Sequence, residues 1–191
     1  MGFGVKINEK NGWDGMNLPG LFLQLGEDLE REGLRDTPRR VAAAWKEFLE
    51  GYTLKPDEIL SRTFRAESTN AQMCHNIHFV SMCEHHLLPF FGYVHIAYCP
   101  KSVVAGLSKL TRLVDCFARR LQIQERMVDQ IATAMWDHLV PHFVIVIAEG
   151  RHLCCHGRGI RRTEMTFTTT ALRGDAPTEL VDALLLKGKE I

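Results

Sequence analysis

Cys83, His85 and His86 crowd a thiol and two imidazoles into four residues, within Ser81-Met82-Cys83-Glu84-His85-His86-Leu87-Leu88-Pro89-Phe90-Phe91-Gly92. Sulfur and nitrogen donors of this kind are zinc ligands, and the two-residue gap from Cys83 to His86 lets one turn offer both to a single ion. Two donors do not complete a site. The comparable cluster, Arg151-His152-Leu153-Cys154-Cys155-His156, lies far along the chain, so the fold must bring the two together.

On a strand or extended turn, His152 and Cys154 share one side while Leu153 and Cys155 take the other, which makes Cys154 the third ligand. Three protein ligands plus water make a catalytic zinc; four, which the available cysteines and histidines can also supply, make a closed structural one. In the open arrangement, water of lowered pKa becomes a nucleophile near neutral pH, and His85 and His152 stand beside it as proton carriers. Either histidine taken alone is equally well read as a hydrogen-bonded core or supporting residue.

Positive charge gathers on nearby segments although the chain is neutral overall, with 23 basic and 23 acidic residues. Lys109 and Arg112 stand one turn apart, Arg158 sits between Gly157 and Gly159, and Arg161 and Arg162 follow. Glycine admits close backbone approach and the guanidinium fork matches phosphate oxygens, so this pattern suits a phosphate group, with Lys109 and Arg158 its first choices. Gln124-Glu125-Arg126 opens a helix, where Glu125 either complements the helix dipole or accepts paired N–H donors from a base edge. Spacing leaves both open. The neutral balance argues against duplex nucleic acid as a partner.

Residues 1–17 lack an apolar signal segment, and the apolar run from Phe143 to Ala148 is too short to span a bilayer. The expectation is a reducing cytoplasm, where cysteines beside histidines mean metal more often than disulfide. Nucleophile-elbow, H-E-x-x-H, Walker, dinucleotide and zinc-deaminase patterns are all missing from the sequence.

The elements that must position these groups follow from periodicity. Leu18, Leu21, Phe22, Leu25 and Leu29 predict one helix, and Thr37-Pro38 predicts the cap and start of another that stops at Gly51, the two forming a hairpin. Lys55 to Leu60 adds a turn. Strands are expected from Met73 to Ser81 and from Phe91 to Tyr98, with the cysteine-histidine turn between them. Ser108 is expected to cap a helix whose stripe runs Leu110, Leu113, Val114, Phe117, Leu121, and a second helix covers about Gln124 to Leu139. Strands from Phe143 to Glu149 and Thr163 to Ala171 and a weak helix from Pro177 to Leu186 complete an α+β order. Residues 1–66 read as a helical arm and residues 67–191 as the domain carrying the site.

These stretches together resemble the GTP cyclohydrolase I family. The likeness covers roughly residues 18 to 174 and rests on Gly26-Glu27-Asp28, Arg31-Glu32-Gly33-Leu34 and Thr37-Pro38, the Ser81–Gly92 stretch, Val94-His95-Ile96-Ala97-Tyr98, Gly106-Leu107-Ser108-Lys109-Leu110, Arg119-Arg120-Leu121-Gln122 with Gln124-Glu125-Arg126, and His152-Leu153-Cys154 with Arg158-Gly159. The resemblance implies a tunnelling fold, in which antiparallel sheets of several subunits join into a barrel, and a homo-oligomer, a decamer of two pentamers with interfacial sites. It implies conversion of GTP and water to 7,8-dihydroneopterin triphosphate and formate, feeding tetrahydrofolate, other pterins or 7-deazapurines. Cys83, His86 and Cys154 would hold Zn2+; His152 and His85 would handle protons; Ser108 would act at the ribose. Gln124 and Glu125 would hold the guanine edge, and Lys109, Arg112 and Arg158 the triphosphate. The rival reading is a non-catalytic oligomeric zinc protein that binds a purine or pterin. The sequence departs from the family pattern in three places: Leu29 in place of proline, Asn76 in place of aspartate, and Cys155-His156-Gly157 in place of a methionine-rich run, which sets an extra thiol and imidazole beside the metal ligands.

Overall fold

The computed structural model describes residues 18–28 and 30–187, with the backbone alone for residues 186 and 187. Residues 1–17 and Leu29, which carried expectations above, lie outside it. The chain divides into two compact units, Met1–Leu49 and Glu50–Ile191. The first holds α1 (Leu18–Gln24), α2 (Glu32–Arg35) and α3 (Thr37–Phe48). Helix α1 stops earlier than its apolar spacing suggests because Gly26 turns the backbone left-handed at φ 77°. Thr37 is the first helical residue of α3 rather than its cap, with its hydroxyl donating to Gly33 O at 3.2 Å.

The second unit begins with a 3-10 turn (Glu50–Thr53) and α4 (Pro56–Leu60). It then builds β1 (Thr63–Arg65), β2 (Gln72–Cys83), β3 (Pro89–Cys99), β4 (Val103–Ala105) and α5 (Leu107–Ala118). After these come β5 (Leu121–Gln122), α6 (Gln124–Leu139), β6 (Phe143–His152), α7 (Leu153–His156), β7 (Phe167–Gly174) and α8 (Thr178–Lys187). The main sheet runs β5-β2-β3-β6-β7, and β1 pairs with β4 separately. It is mixed rather than purely antiparallel, since β5 lies parallel to the end of β2 through Met82↔Leu121 and Cys83↔Gln122.

Period-two alternation separates the two faces of this sheet. Phe79, Phe90, Val94, Ile96, Val144, Val146 and Ala148 are buried together with the α5 and α6 stripe of Leu110, Leu113, Val114, Met127, Ile131 and Met135. On the opposite face Ala97, Ile145 and Ile147 are covered by Leu184 of α8. Burying each large apolar side chain contributes about 1.5–3 kcal/mol, so helices and sheet hold together through this seam.

Three local expectations are corrected. Ser108 does not cap α5; extended Gly106 does, its carbonyl accepting from Lys109 N at 2.8 Å, and Ser108 stands exposed in the first turn. Leu121 leaves the α5 stripe because the helix ends at Ala118 and the chain extends into β5. Strand β6 runs on to His152, and Leu153–His156 then coils into a helical turn, so strand alternation does not govern where His152 and Cys154 point.

Candidate metal centre and base pocket

Cys83 ends β2, and the next five residues turn back into β3. The Cys83 carbonyl accepts from His86 N at 3.3 Å and Leu87 N at 2.8 Å, and Leu87 takes φ 54° to close the turn. Cys83 N in turn donates to Leu88 O at 2.9 Å. A forked ion pair, Arg126 Nη1 and Nη2 to the two Glu84 oxygens at 2.6 and 3.1 Å, ties this turn to α6. Arg126 holds the Glu84 carboxyl below its usual range.

Strand β3 lies between β2 and β6, so it brings the two distant clusters together. Its first residues pair with the end of β2 through Met82↔Pro89 and with the end of β6 through Phe90↔His152. The helical turn α7 then swings Cys154 in toward Cys83. One donor atom from each of Cys83, His86 and Cys154 lies within 4.8 Å of the others. Donors sharing one zinc sit roughly 3.3–3.8 Å apart, given bonds of about 2.0–2.3 Å, so small side-chain rotations suffice to close on an ion.

The donor set fits a soft or borderline dication. Burial first, and then the Cys83 and Cys155 thiols, push the Cys154 thiol up to about 12. Thiolates this close repel one another, and a dication is what stabilises them together. Cys155 Sγ is 4.0 Å from Cys154 Sγ, yet Cys155 is not part of the converging set. His85 Nδ1 is 3.8 Å from Cys83 Sγ, on the exposed side of the turn.

A cavity of about 360 Å³ opens beside these donors, lined by His85, Phe90, Ile123, Gln124, Glu125, His152, Met165 and Phe167 among others. His152 is held on three sides in it, by Phe90, Phe167 and Gln124. Its ring stacks on Phe90 with centroids 4.6 Å apart and planes 3° from parallel, and meets the Phe167 ring edge-on at 6.1 Å. Its Nε2 lies 3.0 Å from Gln124 Oε1. Burial lowers the His152 pKa and nearby His156 lowers it further, while Glu125 raises it. The neutral ring is therefore favoured near neutrality.

Glu125, exposed at the start of α6, puts its carboxylate on the cavity wall. Gln124 is fully buried, and its amide nitrogen already donates to Ala148 O, Phe167 O and Thr169 Oγ1. Ser108, Lys109, Arg112 and Arg158 are not among the lining residues of this cavity. The first three stand in or near the first turns of α5, and Arg158 is exposed in the loop after α7. The structure thus brings together the metal, proton-carrier and base-edge candidates but not the phosphate candidates. Phe90 and Phe167, the two rings that orient His152, have no local sequence signal, because the pairing of Phe90 with His152 and of Phe167 with Gly150 is set by strand register.

Among the described residues no helix is long and apolar enough to cross a membrane. The sequence profile of GTP cyclohydrolase I matches residues 17–182. The chain is 47% identical over 155 residues to GTP cyclohydrolase 1 of Wolinella succinogenes, covering 81% of this chain and 83% of that protein. It is 49% identical over 151 residues to GTP cyclohydrolase 1 of Campylobacter concisus, covering 78% and 80%. It is 46% identical over 151 residues to that of Deinococcus radiodurans, covering 78% and 70%. A solved structure, the archaeosine synthase QueF-Like in the apo form, is similar with a TM-score of 0.48 and 16% identity, over 58% of this chain and 100% of that one.

Proposed function

The chain belongs to the GTP cyclohydrolase I family, and from that premise we propose that it converts GTP and water to 7,8-dihydroneopterin triphosphate and formate in the cavity beside Cys83, His86 and Cys154. The observation that carries this reading is the convergence of three soft donors from two distant segments next to an oriented imidazole and an exposed acidic residue, Glu125.

Cys83, His86 and Cys154 hold the metal, which we take to be zinc from the sulfur-rich set. Zinc bound there supplies Lewis acidity for activating water toward the electrophilic C8 of the purine. Glu125 accepts the paired N–H donors of the guanine edge and so fixes how the base sits in the cavity. Phe90 and Phe167 hold the His152 ring where it exchanges a proton with the ring nitrogen released when the C8 bond opens. His85, exposed on the turn, relays protons to solvent, and Ser108 acts at the ribose in the later rearrangement. Gln124, with its donors engaged and its oxygen turned to His152, contributes at the base edge only through that ring.

Lys109, Arg112 and Arg158 meet the triphosphate. Because Ser108, Lys109, Arg112 and Arg158 stand apart from the cavity of one chain, a neighbouring copy brings them to it, in a homo-oligomer of the tunnelling type, a decamer with sites between subunits. The enzyme works in the cytoplasm, where thiols stay reduced.

Incubating the zinc-loaded protein with GTP tests this directly. Formate release with the appearance of pterin fluorescence is expected; a zinc-loaded protein that gives neither refutes the reading.

A further inference from the structure

We infer that Gln124 is a positioning residue that fixes the tautomer of His152, holding hydrogen on Nε2 so that Nδ1 is the nitrogen left to exchange a proton. This rests on the role given to His152 above and follows from where each polar atom of Gln124 finds its partner.

Gln124 is the first residue of α6 and is 0% exposed. Its amide nitrogen lies 3.0 Å from Ala148 O, 2.8 Å from Phe167 O and 3.1 Å from Thr169 Oγ1. Two of these partners are carbonyl oxygens, which only accept. Turning the amide over would press Gln124 Oε1 against both, so the network dictates its orientation. The oxygen must then face His152, 3.0 Å from Nε2, and an oxygen acceptor requires a hydrogen on that nitrogen. In the neutral ring the lone pair consequently sits on Nδ1.

The surroundings enforce the same outcome. Phe90 and Phe167 fix the ring plane, leaving Nε2 aimed along one line. A Cβ at position 150 would overlap Gln124 Oε1, so the glycine there makes room for the amide. A carboxylate in place of the amide would face two carbonyl oxygens and raise the basicity of the ring. The neutral amide holds the tautomer without doing so.

The test uses the full-length zinc-loaded protein labelled with 15N-histidine, reading the two-bond 15N–1H correlations of the ring signal that disappears in His152→Asn. The wild-type ring is expected as the Nε2–H tautomer. Gln124→Met should give a mixture of tautomers, a kcat lower by about 10–100-fold, a KM for GTP within about threefold of wild type, and unchanged zinc stoichiometry. Gly150→Ala, which displaces the amide without removing it, should shift the tautomer in the same direction. An Nδ1–H ring in the wild type overturns the inference, and so does a Gln124→Met protein whose KM rises while its ring spectrum and kcat stay put, since that would make Gln124 a substrate contact. If neither variant folds, the wild-type spectrum alone decides. An Nε2–H ring in a protein that releases no formate supports this assignment and sinks the GTP reading instead.

Discussion

Cys154 and Cys155 carry the same thiol with sulfurs 4.0 Å apart, but only Cys154 converges with Cys83 and His86. Position on the α7 turn, and not donor chemistry, therefore selects the ligand. Cys154→Ser should lose bound zinc on gel filtration against a weak chelator, while Cys155→Ser should keep close to one ion per subunit; equal loss in both would contradict the ligand set. His152→Ala should retain the metal and lower kcat by about 10²–10⁴-fold, the usual weight of a positioned acid-base group. A further histidine, His95, is 1% exposed, and its Nε2 lies 3.9 Å from Glu149 Oε2. Burial holds its pKa below the ordinary range and His75 lowers it further, against the raising effect of Glu149. The unfolded chain thus takes up a proton below about pH 6.5 that the folded chain refuses, so stability is full above that pH and declines as pH falls toward the folded-state pKa. His152 contributes in the same direction. A pH series of melting temperatures should show this decline, and His95→Gln should flatten part of it.

Elements were legible where they were long and periodic. The α5 stripe up to Phe117, the α6 stripe, and the cores of β2, β3 and β6 followed from spacing, and the meeting of Cys83 and His86 with the 151–156 cluster from residue type, although the strand alternation that singled out Cys154 does not hold there. What could not be read was short or tertiary: β5 has two residues and α7 four, too few to show any period, and the parallel pairing of β5 with β2 is fixed by contacts distant in sequence. The same holds for the pairing of Gly92 with Gly150 across β3 and β6. A Cβ on Gly92 would overlap the Glu149 carbonyl oxygen, so that position admits no side chain while the two strands stay paired. Gly92→Ala should destabilise the protein by about 1–3 kcal/mol in denaturant titration. It should weaken zinc retention as well, because β6 positions His152 and leads into Cys154.

On the scale of the whole molecule, charge and chemistry are separated. The cavity holds the metal donors, the imidazole and the base-edge carboxylate, while Lys109 and Arg112 project from α5 outside its lining. If two copies share a site, His152→Ala and Lys109→Ala should each be nearly inactive alone yet regain about a quarter of wild-type turnover when co-expressed, since random mixing leaves that share of sites with both groups intact. No recovery in co-purified mixed oligomers would mean that each chain completes its own site. The interposition of β3 between the two ligand-bearing strands has a consequence during synthesis. Cys83 leaves the ribosome well before Cys154, and nothing holds the ion until β6 has docked in register, where a one-residue slip would turn His152 to the opposite face. Zinc uptake thus reports threading: chains stalled before residue 154 should hold no ion, whereas the finished chain with β6 docked in register should take one up.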